Sequence, residues 1–414
     1  MLPLEQAKEL LNQHFMTTFA RPLETEDLPL WDAGDRILAV DITAAEHIPG
    51  FDRSPVDGYA LRSEDVRNAA IDSPISLTLV DTVAAGSYSD KTLTSGTAMT
   101  VFTGAPLPNG ADCVIKKEDT QATEDHNTVL ISQPVSRGEN IAYKGEDIAL
   151  GEFLFAKGTT LRAPHIGILA SLGVDPVPVY QKPKIGIFST GNELIDPQES
   201  LQHGQLRASN LFTIADLIRR AGGVPINLGL VKDRTDDVLD VYKQAQQMGL
   251  PFVISTGGTA SGDFDVIKEA MEATGSERLF NKIAMRPGAP VVVSIAENQW
   301  LIGLSGNPAG SAVAMQLVIC PLILKLAGTS SELADALPVS VQASLTAPIM
   351  RKGGLRGFLW GRNTEQDGQI FVTPNENQFC GAVKTYANSN CLIEVPAGKV
   401  DFSSGQDVTI WKFF

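Results

Sequence analysis

Three glycine-rich segments, each following an apolar run, could form a binding site for an anion. They are residues 189–193, 255–265 and 303–310. Glycine lets the backbone approach a ligand closely, and the amides at the start of a following helix stabilise negative charge. None of the segments matches the Walker A or the G-x-G-x-x-G pattern. Each alone is better explained as a plain turn, but three at one edge of a sheet would make a phosphate-type site.

Carboxylates lie in or beside these and other turns. The set is Asp57, Asp147, Glu193, Asp233, Asp263 and Asp265. A solvated surface position explains each of them individually. A carboxylate directly after a glycine turn can also hold Mg²⁺, which takes oxygen ligands and shares its shell with substrate phosphates. The five histidines show no H-E-x-x-H spacing and no G-x-S-x-G elbow occurs, so zinc chemistry and serine nucleophiles have little support.

The length and the charge narrow the class of protein. The chain has 414 residues, which suggests about three domains. Its 33 Lys and Arg against 48 Asp and Glu give a net charge of −15, which disfavours general binding to nucleic acid or to an anionic membrane. Any phosphate must therefore be bound by local groups.

Cysteine usage and hydropathy indicate where the protein works. Four scattered cysteines without a C-x-x-C pair, and an N-terminus without a signal-peptide pattern, favour reduced thiols in the cytoplasm. Residues 300–324 carry no charge and could span a bilayer by length. Because they contain the turn residues 305–310, we expect a buried strand, a loop and a buried helix starting at about Ser311 instead.

The pattern of apolar residues divides the chain into blocks. Helical spacing predicts a helix over residues 4–19. A polar, turn-rich segment follows it and precedes a predicted strand over 36–42. Short apolar runs between turns predict β-structure from about residue 75 to 160. From residue 184, strands alternate with helices, which implies parallel βαβ units. After residue 328 the pattern returns to β-structure. The predicted strands of the alternating block are 184–191, 226–231, 252–255, 291–294 and 300–304, and its helices are 209–221, 235–248, 265–273 and the one from 311.

The loops taken together resemble the MoeA family of molybdopterin molybdenumtransferases, which also includes the C-terminal region of gephyrin. The resemblance extends over essentially the whole chain, and the motifs occur in the family's order and spacing. They are S-P-V-D-G-Y-A at 54–60, T-G-A-P-L-P-N-G-A-D at 103–112, S-T-G-N-E-L at 189–194, T-G-G-T-A-S-G at 256–262, R-P-G-A-P at 286–290 and G-N-P at 306–308.

The resemblance implies a multidomain α/β plus β fold with four domains. A discontinuous N-terminal linker or dimer domain would take residues 1–46 and 140–179, and an inserted β-domain would take 47–139. A central doubly wound, MogA-like α/β domain that binds molybdopterin would take 180–327. A small C-terminal β-barrel would take 328–414.

The resemblance also implies an activity. Family members insert molybdate into adenylyl-molybdopterin with Mg²⁺-dependent release of AMP, act as homodimers, and work in the cytoplasm beside MogA-type and other proteins of the cofactor pathway. The catalytic positions carried over by motif are Asp57, Thr103, Asp147, Glu193, Asp233 and Asp265. The implied molybdopterin- and anion-binding positions are Gly257, Gly258, Ser261, Gly262, Arg286, Gly306, Asn307 and Pro308. Asp57 and Glu193 are the expected metal ligands.

Departures from the family pattern cluster where an anion would bind. The family's K-P-G-K-P reads R-P-G-A-P here, so Arg286 keeps the first charge and Ala289 replaces the second lysine. Ser305 stands where the family usually has proline, and Val56 where it has methionine. In the C-terminal region Arg351, Lys352 and Arg356 are candidates for the family's arginine. Lys384 or Thr385 falls where the family has serine.

These departures leave three hypotheses open. The first is the transferase itself. The second is a molybdopterin-binding paralogue with reduced or lost turnover. The third is a Mg²⁺-dependent nucleotide pyrophosphatase on a related α/β domain.

Overall fold

The computed structural model of the chain describes residues 1–19, 22–123, 127–258, 266–351, 353–379, 381, 383–398 and 401–413. The chain begins with helix α1 (Leu4–Thr18), as its helical spacing predicts. Leu4, Ala7, Leu11 and Phe15 bury one face of α1 in the same core as the central domain. α1 therefore packs with the central domain, although it lies in the predicted N-terminal segment 1–46.

The next segment contributes two short strands, β1 (Thr25–Leu28) and β2 (Ile42–Thr43). The strand predicted over residues 36–42 is wrong for most of its length, because Ile37 and Leu38 make only isolated bridges, to Thr160 and Val179. These bridges still cross to the distant part of the same domain, so the segment is held by long-range pairing.

The inserted domain is a six-stranded sheet with the strand order β6-β3-β5-β4-β8-β7. Alternating burial, as in β8, places one face of the sheet on a core that includes Leu61, Leu77 and Ile131. The strands are β3 (Gly58–Leu61), β4 (Ile75–Val83), β5 (Thr97–Val101), β6 (Cys113–Lys116), β7 (Thr120–Ala122) and β8 (Thr128–Ile131).

The chain then returns to the interrupted N-terminal domain through β9 (Phe153–Phe155), α2 (Ala163–Ser171) and β10 (Val177–Tyr180). β9 pairs with β2, and β10 pairs with β1, both antiparallel. α2 was not predicted, because its nine residues are apolar on most faces and give no helical period.

The central domain is a six-stranded sheet in the order β14-β11-β15-β19-β18-β16, with helices on both faces. Four neighbours, β14, β11, β15 and β19, are parallel as predicted. The expectation of parallel units is wrong for β18, which runs antiparallel to β19, and the unpredicted β16 pairs antiparallel with β18 at the edge of the sheet. The reason is local: β18 and β19 are joined by the two-residue turn Glu297-Asn298, so they form a hairpin.

The elements of this domain alternate as predicted except for four additional strands, at residues 194–195, 206–207, 277–280 and 285–286. In chain order, the elements are β11 (Lys184–Thr190), β12 (Leu194–Ile195), β13 (Leu206–Arg207), α3 (Ser209–Arg220), β14 (Val224–Val231), α4 (Thr235–Gln247), β15 (Phe252–Thr256), α5 (Val266–Ala273), β16 (Glu277–Phe280), β17 (Met285–Arg286), β18 (Val291–Ala296), β19 (Gln299–Leu304), α6 (Pro308–Ala314) and α7 (Cys320–Leu326).

A π-helical turn (Met315–Ile319) joins α6 to α7, so residues 308–326 form one continuous helix. This helix is long and apolar enough to cross a membrane, but 94% of its most apolar window is buried inside the protein. The core thus accounts for its composition. It begins at Pro308, three residues before the predicted start, because the Asn307 side chain caps it by accepting from the Gly310 N–H.

The C-terminal domain is a small closed barrel, as expected. Its strands pair in the order β22-β23-β20-β26-β24, and β24 pairs back to β22 to close the ring. β17 of the central domain adds to β22, which ties the two domains together. The elements are α8 (Ser331–Asp335), β20 (Ser340–Leu345), β21 (Ile349–Met350), β22 (Arg356–Gln366), β23 (Gln369–Pro374), α9 (Val383–Ala387), β24 (Cys391–Val395), β25 (Asp401–Phe402) and β26 (Asp407–Lys412).

Candidate active site

A cavity of about 360 Å³ lies at the carboxyl ends of β11, β15 and β19. We call it the first cavity. The three glycine-rich segments that the sequence singles out meet here. Its charged side chains, among the described residues, are Glu193, Asp233 and Arg207. The other residues that line it are Ser189, Thr190, Gly191, Leu194, Leu206, Ala208, Ser209, Asn210, Thr256, Gly257, Gly258, Pro290, Ser305, Gly306 and Pro308.

Gly257 shows why glycine is needed at this edge of the sheet. Its φ is +93°, and a Cβ on it would lie 2.1 Å from the Thr190 carbonyl oxygen. A Cβ added to Gly306 would lie 3.3 Å from the Gly257 Cα. The three loops are therefore packed backbone against backbone, and a side chain at Gly257 would displace the wall of the cavity.

Side-chain hydrogen bonds hold the polar groups of the first cavity in place. The Thr190 hydroxyl donates to Asp233 Oδ1 at 2.6 Å, and the Asn210 amide donates to the Gly306 carbonyl at 2.8 Å. Ser189 and Thr256 share a hydrogen bond of 2.8 Å between their buried hydroxyls. Thr190 and Asn210 were not among the predicted site residues. In the sequence, Thr190 is recognisable only as a polar residue at the end of a buried strand, and Asn210 only as one at the start of the next helix.

The carboxylates of the first cavity fit one mode of Mg²⁺ binding. Within the described part of the chain, no group of three or more His, Cys, Asp or Glu residues could enclose a metal ion. Mg²⁺ is commonly held by only one or two carboxylates together with substrate phosphates and water. Glu193 and Asp233 line the same cavity and could supply such a pair.

Asp57 lies in the inserted domain and is not among the residues that line the first cavity. Its Oδ1 accepts from the Thr103 N–H at 2.7 Å and from the Thr103 hydroxyl at 2.8 Å. These two hydrogen bonds lower the pKa of the exposed Asp57 carboxyl, because they favour its charged form. The following Gly58 is tightly enclosed, since a Cβ there would lie 2.0 Å from the Ile115 carbonyl oxygen. Asp57 is therefore an ionised carboxylate presented to solvent on a fixed backbone.

The remaining predicted catalytic residues fall into two groups. Asp147 is exposed in the turn that crosses to Ile48, and like Asp57 and Thr103 it lies outside the first cavity. The predicted positions Ser261, Gly262 and Asp265, and the carboxylate Asp263, lie outside the described residues. Within one chain, the structure thus unites Glu193, Asp233, Gly257, Gly258, Gly306 and Pro308, and holds Asp57, Thr103 and Asp147 in other domains.

Two further cavities, each of about 270 Å³, extend the first one towards the barrel. The second cavity shares Pro290 and Ser305 with the first, and also contacts Arg286, Ala289 and Asn307. The third cavity shares Arg286 and Pro287 with the second. It also contacts Arg351, Phe358, Leu359, Trp360 and Gln378.

The charge changes sign along this row of cavities. Among the described residues, two carboxylates, Glu193 and Asp233, outnumber the one cation, Arg207, in the first cavity, whereas the charged side chains of the second and third are the arginines 286 and 351. Burial lowers the pKa of the Arg351 guanidinium, and the nearby charge of Arg286 lowers it further. Two cations held this close favour an anion between them.

The structure separates the arginine candidates of the C-terminal domain. Arg351 lines the third cavity, and its guanidinium lies over Gly357, where a Cβ would come within 1.8 Å of Nη1. Arg356 instead donates to Glu394 at 2.8 Å and to Glu5 of α1. Arg356 is thus paired with two carboxylates, whereas Arg351 lines a cavity. Thr385 is buried, with its hydroxyl donated to the Asn377 carbonyl, and Lys352 lies outside the described residues.

Comparison with known proteins gives matches along nearly the whole chain. Residues 2–173 match the MoeA N-terminal region (domain I and II), residues 186–325 a probable molybdopterin binding domain, and residues 342–413 the MoeA C-terminal region (domain IV).

Curated relatives and a solved structure agree with these matches. The molybdopterin molybdenumtransferase of Bacillus subtilis is 35% identical over 396 residues, which cover 95% of this chain and 90% of that protein. The enzyme of the same name from Staphylococcus epidermidis is 32% identical over 409 residues, covering 98% and 94% of the two chains. The crystal structure of the molybdopterin biosynthesis MoeA protein from Pyrococcus horikoshii superposes with a TM-score of 0.82 at 29% identity, covering 100% of this chain and 99% of that one.

Proposed function

The chain belongs to the MoeA family of molybdopterin molybdenumtransferases, and on that premise we propose that it inserts molybdate into adenylyl-molybdopterin with Mg²⁺-dependent release of AMP. Its role in molybdenum cofactor biosynthesis and its class as a transferase follow from the family. The single observation that carries the finer proposal is the row of three adjoining cavities, acidic at one end and basic at the other.

The acidic end suits the adenylylated pterin. The glycine-rich loops offer backbone groups at the ends of β11, β15 and β19, where ligands of doubly wound sheets bind. Glu193 and Asp233 would hold Mg²⁺, which when bound would offset the charge of the phosphates. Thr190 keeps Asp233 oriented through its hydrogen bond of 2.6 Å.

The basic end suits molybdate. Arg286 borders both the second and the third cavity, and Arg351 also lines the third. Guanidinium groups bind tetrahedral oxyanions through paired N–H donors. Because the second cavity adjoins the first through Pro290 and Ser305, an oxyanion held by Arg286 would lie next to the bound pterin.

We also propose that the working unit is a homodimer, in which Asp57, Thr103 and Asp147 complete the first cavity of the partner. This rests on the position of these three residues in domains away from the cavity of their own chain. The ionised state of Asp57 and its exposure suit a role towards a metal-bound phosphate. A cytoplasmic location and delivery of the substrate by a MogA-type partner are part of the same proposal.

The proposal is tested by AMP release from adenylyl-molybdopterin with each component left out in turn. We expect AMP release only when molybdate and Mg²⁺ are both present. The rate of AMP release should fall by at least about a hundredfold in Glu193→Gln and in Asp233→Asn. Asp236→Asn, an exposed carboxylate on α4 outside the cavity, is the matched control. Binding of molybdopterin without AMP release would support the paralogue without turnover, and hydrolysis of simple dinucleotides would support the pyrophosphatase.

A further inference from the structure

We propose that the Ser305 hydroxyl is a ligand of the oxyanion and takes over part of the work of the lysine that Ala289 replaces. The inference rests on the proposed function and deepens it. It concerns two residues of this chain that both depart from the family pattern and both line the second cavity.

Ser305 occupies the junction between the two binding regions. It directly follows β19 and lines the first cavity together with the glycine-rich loops. It also lines the second cavity together with Arg286 and Ala289. A group at this junction can contact an anion held by Arg286 and the pterin beside it at the same time.

The hydroxyl of Ser305 is available as a hydrogen-bond donor. Its Oγ accepts from the Asn307 N–H at 3.1 Å, which uses one lone pair of the oxygen. Among the contacts of the described residues, the Ser305 hydroxyl proton has no acceptor. A serine hydroxyl supplies one donor and two acceptor sites, so its proton remains for a ligand.

Charge explains why a neutral donor matters here. Arg286 is the one charged side chain among the described residues that line the second cavity, and Ala289 brings only a methyl group. Arg351 lines the third cavity, so a dianion in the second cavity adjoins one guanidinium among the described lining residues, and its other oxygens need other donors. Proline, the family's usual residue at position 305, has no such donor. The loss of a lysine and the gain of a hydroxyl therefore fall on the same cavity.

The test is a double-mutant cycle on Ser305→Ala and Ala289→Lys, read as the KM for molybdate in AMP release and as the Kd for molybdate by equilibrium dialysis. We expect Ser305→Ala to raise both about tenfold, as for one hydrogen bond to a charged group. We expect Ala289→Lys to lower both. In the Ala289→Lys background, removal of the hydroxyl is expected to cost less than about threefold, because the lysine supplies the missing donor.

Two controls separate this effect from a loss of structure. Ser305→Thr keeps the hydroxyl and is expected to keep the molybdate Kd within about threefold of the wild type. Ser311→Ala removes a hydroxyl that donates within the first turn of α6, outside the three cavities, and is expected to change neither constant. The midpoint of thermal unfolding of every variant shows whether it is folded.

The outcomes distinguish this inference from the function on which it rests. If AMP release is normal and Ser305→Ala leaves KM and Kd unchanged, the inference is wrong and the function stands. An equal effect of Ser305→Ala in both backgrounds overturns the compensation. If the wild type releases no AMP but binds molybdate tenfold better than Ser305→Ala, the function fails and the assignment of Ser305 as an oxyanion ligand stands.

Discussion

Thr103 donates two hydrogen bonds to the same oxygen of Asp57, one from its backbone N–H at 2.7 Å and one from its hydroxyl at 2.8 Å. Both hydrogen bonds stabilise the carboxylate form and lower the pKa of Asp57. The next residue, Gly58, is tightly enclosed, since a Cβ there would lie 2.0 Å from the Ile115 carbonyl oxygen. Thr103 is therefore a positioning residue for a carboxylate that faces solvent in the isolated subunit.

Thr103→Val tests this relationship. The variant keeps the backbone donor and loses the hydroxyl, so the pKa of Asp57 should rise towards its ordinary value. The acid limb of the pH profile of kcat should then move to higher pH, with a smaller change at neutral pH where Asp57 stays ionised. Thr103→Ser, which retains both donors, should keep the wild-type profile. A carbon NMR titration of Asp57 that shows the same pKa in both variants would contradict the prediction.

Mixed dimers test whether Asp57 and Glu193 act across the subunit boundary. Asp57→Ala and Glu193→Ala should each be inactive alone. Co-expressed, they should recover roughly a quarter of the wild-type activity, because half of the dimers are mixed and each has one intact site. The pair Asp57→Ala with Asp147→Ala should recover none, since both residues come from the same side of the site. No recovery with the first pair would mean that the site forms within one subunit.

Arg351 and Arg356 form a matched pair for the oxyanion site. Arg351→Ala should raise the KM for molybdate tenfold or more, since Arg351 and Arg286 both line the third cavity. Arg356→Ala should leave this KM within about threefold and lower the stability by about 1–3 kcal/mol, because it leaves the half-buried Glu394 without its partner. Steady-state kinetics and urea unfolding measure the two effects. An exchange of the two phenotypes would assign the oxyanion to Arg356.

Glu5 links the stability of the protein to pH. Partial burial alone would raise the pKa of Glu5, but its hydrogen bond with Arg356 and the positive charge nearby outweigh burial and lower it. Such a group adds stability above its unfolded pKa, and this stability is lost as the pH falls through the folded pKa. Because Glu5 is mostly exposed, Glu5→Gln should cost less than about 1 kcal/mol at pH 7.

The cost of Glu5→Gln should shrink as the pH falls through the lowered folded pKa of Glu5, below which the wild-type carboxyl is itself protonated. Glu9→Gln, on the same helix and without an arginine partner among the described contacts, is the control and should be neutral at both pH values. Urea unfolding at pH 7 and at low pH measures the difference. A cost that stays constant with pH would show that the charge of Glu5 is not its source.

The parts of the fold that the sequence predicts are those set by local pattern. The spacing of Leu4, Ala7, Leu11 and Phe15 defines α1, and the continuous apolar runs define β11 and β15. The partner of α1 could not be read in this way, since burial against the central core is a long-range contact. The antiparallel β18 depended on a two-residue turn after it, which a strand–helix alternation does not reveal.

The residues of the candidate site likewise differ in whether local pattern or long-range contacts identify them. The glycine-rich segments and Glu193 could be found from residue types, because several of them follow predicted strands of one parallel sheet, and the carboxyl ends of such strands bind ligands. Thr190 and Asn210 could not be found, since their importance comes from hydrogen bonds to Asp233 and Gly306 across the sheet edge. Arg351 and Arg356 look equivalent in the sequence, but the fold places Arg351 at the third cavity and pairs Arg356 with Glu394 and Glu5.

We propose that one row of cavities holds an adenylylated pterin next to an oxyanion. The most direct measurement is the ratio of AMP released to molybdenum bound on molybdopterin, in a single turnover of the purified protein with adenylyl-molybdopterin, molybdate and Mg²⁺. We expect one AMP to be released per molybdenum inserted, and neither product to form when molybdate is left out. AMP release that proceeds without molybdate and without molybdenum insertion would contradict it.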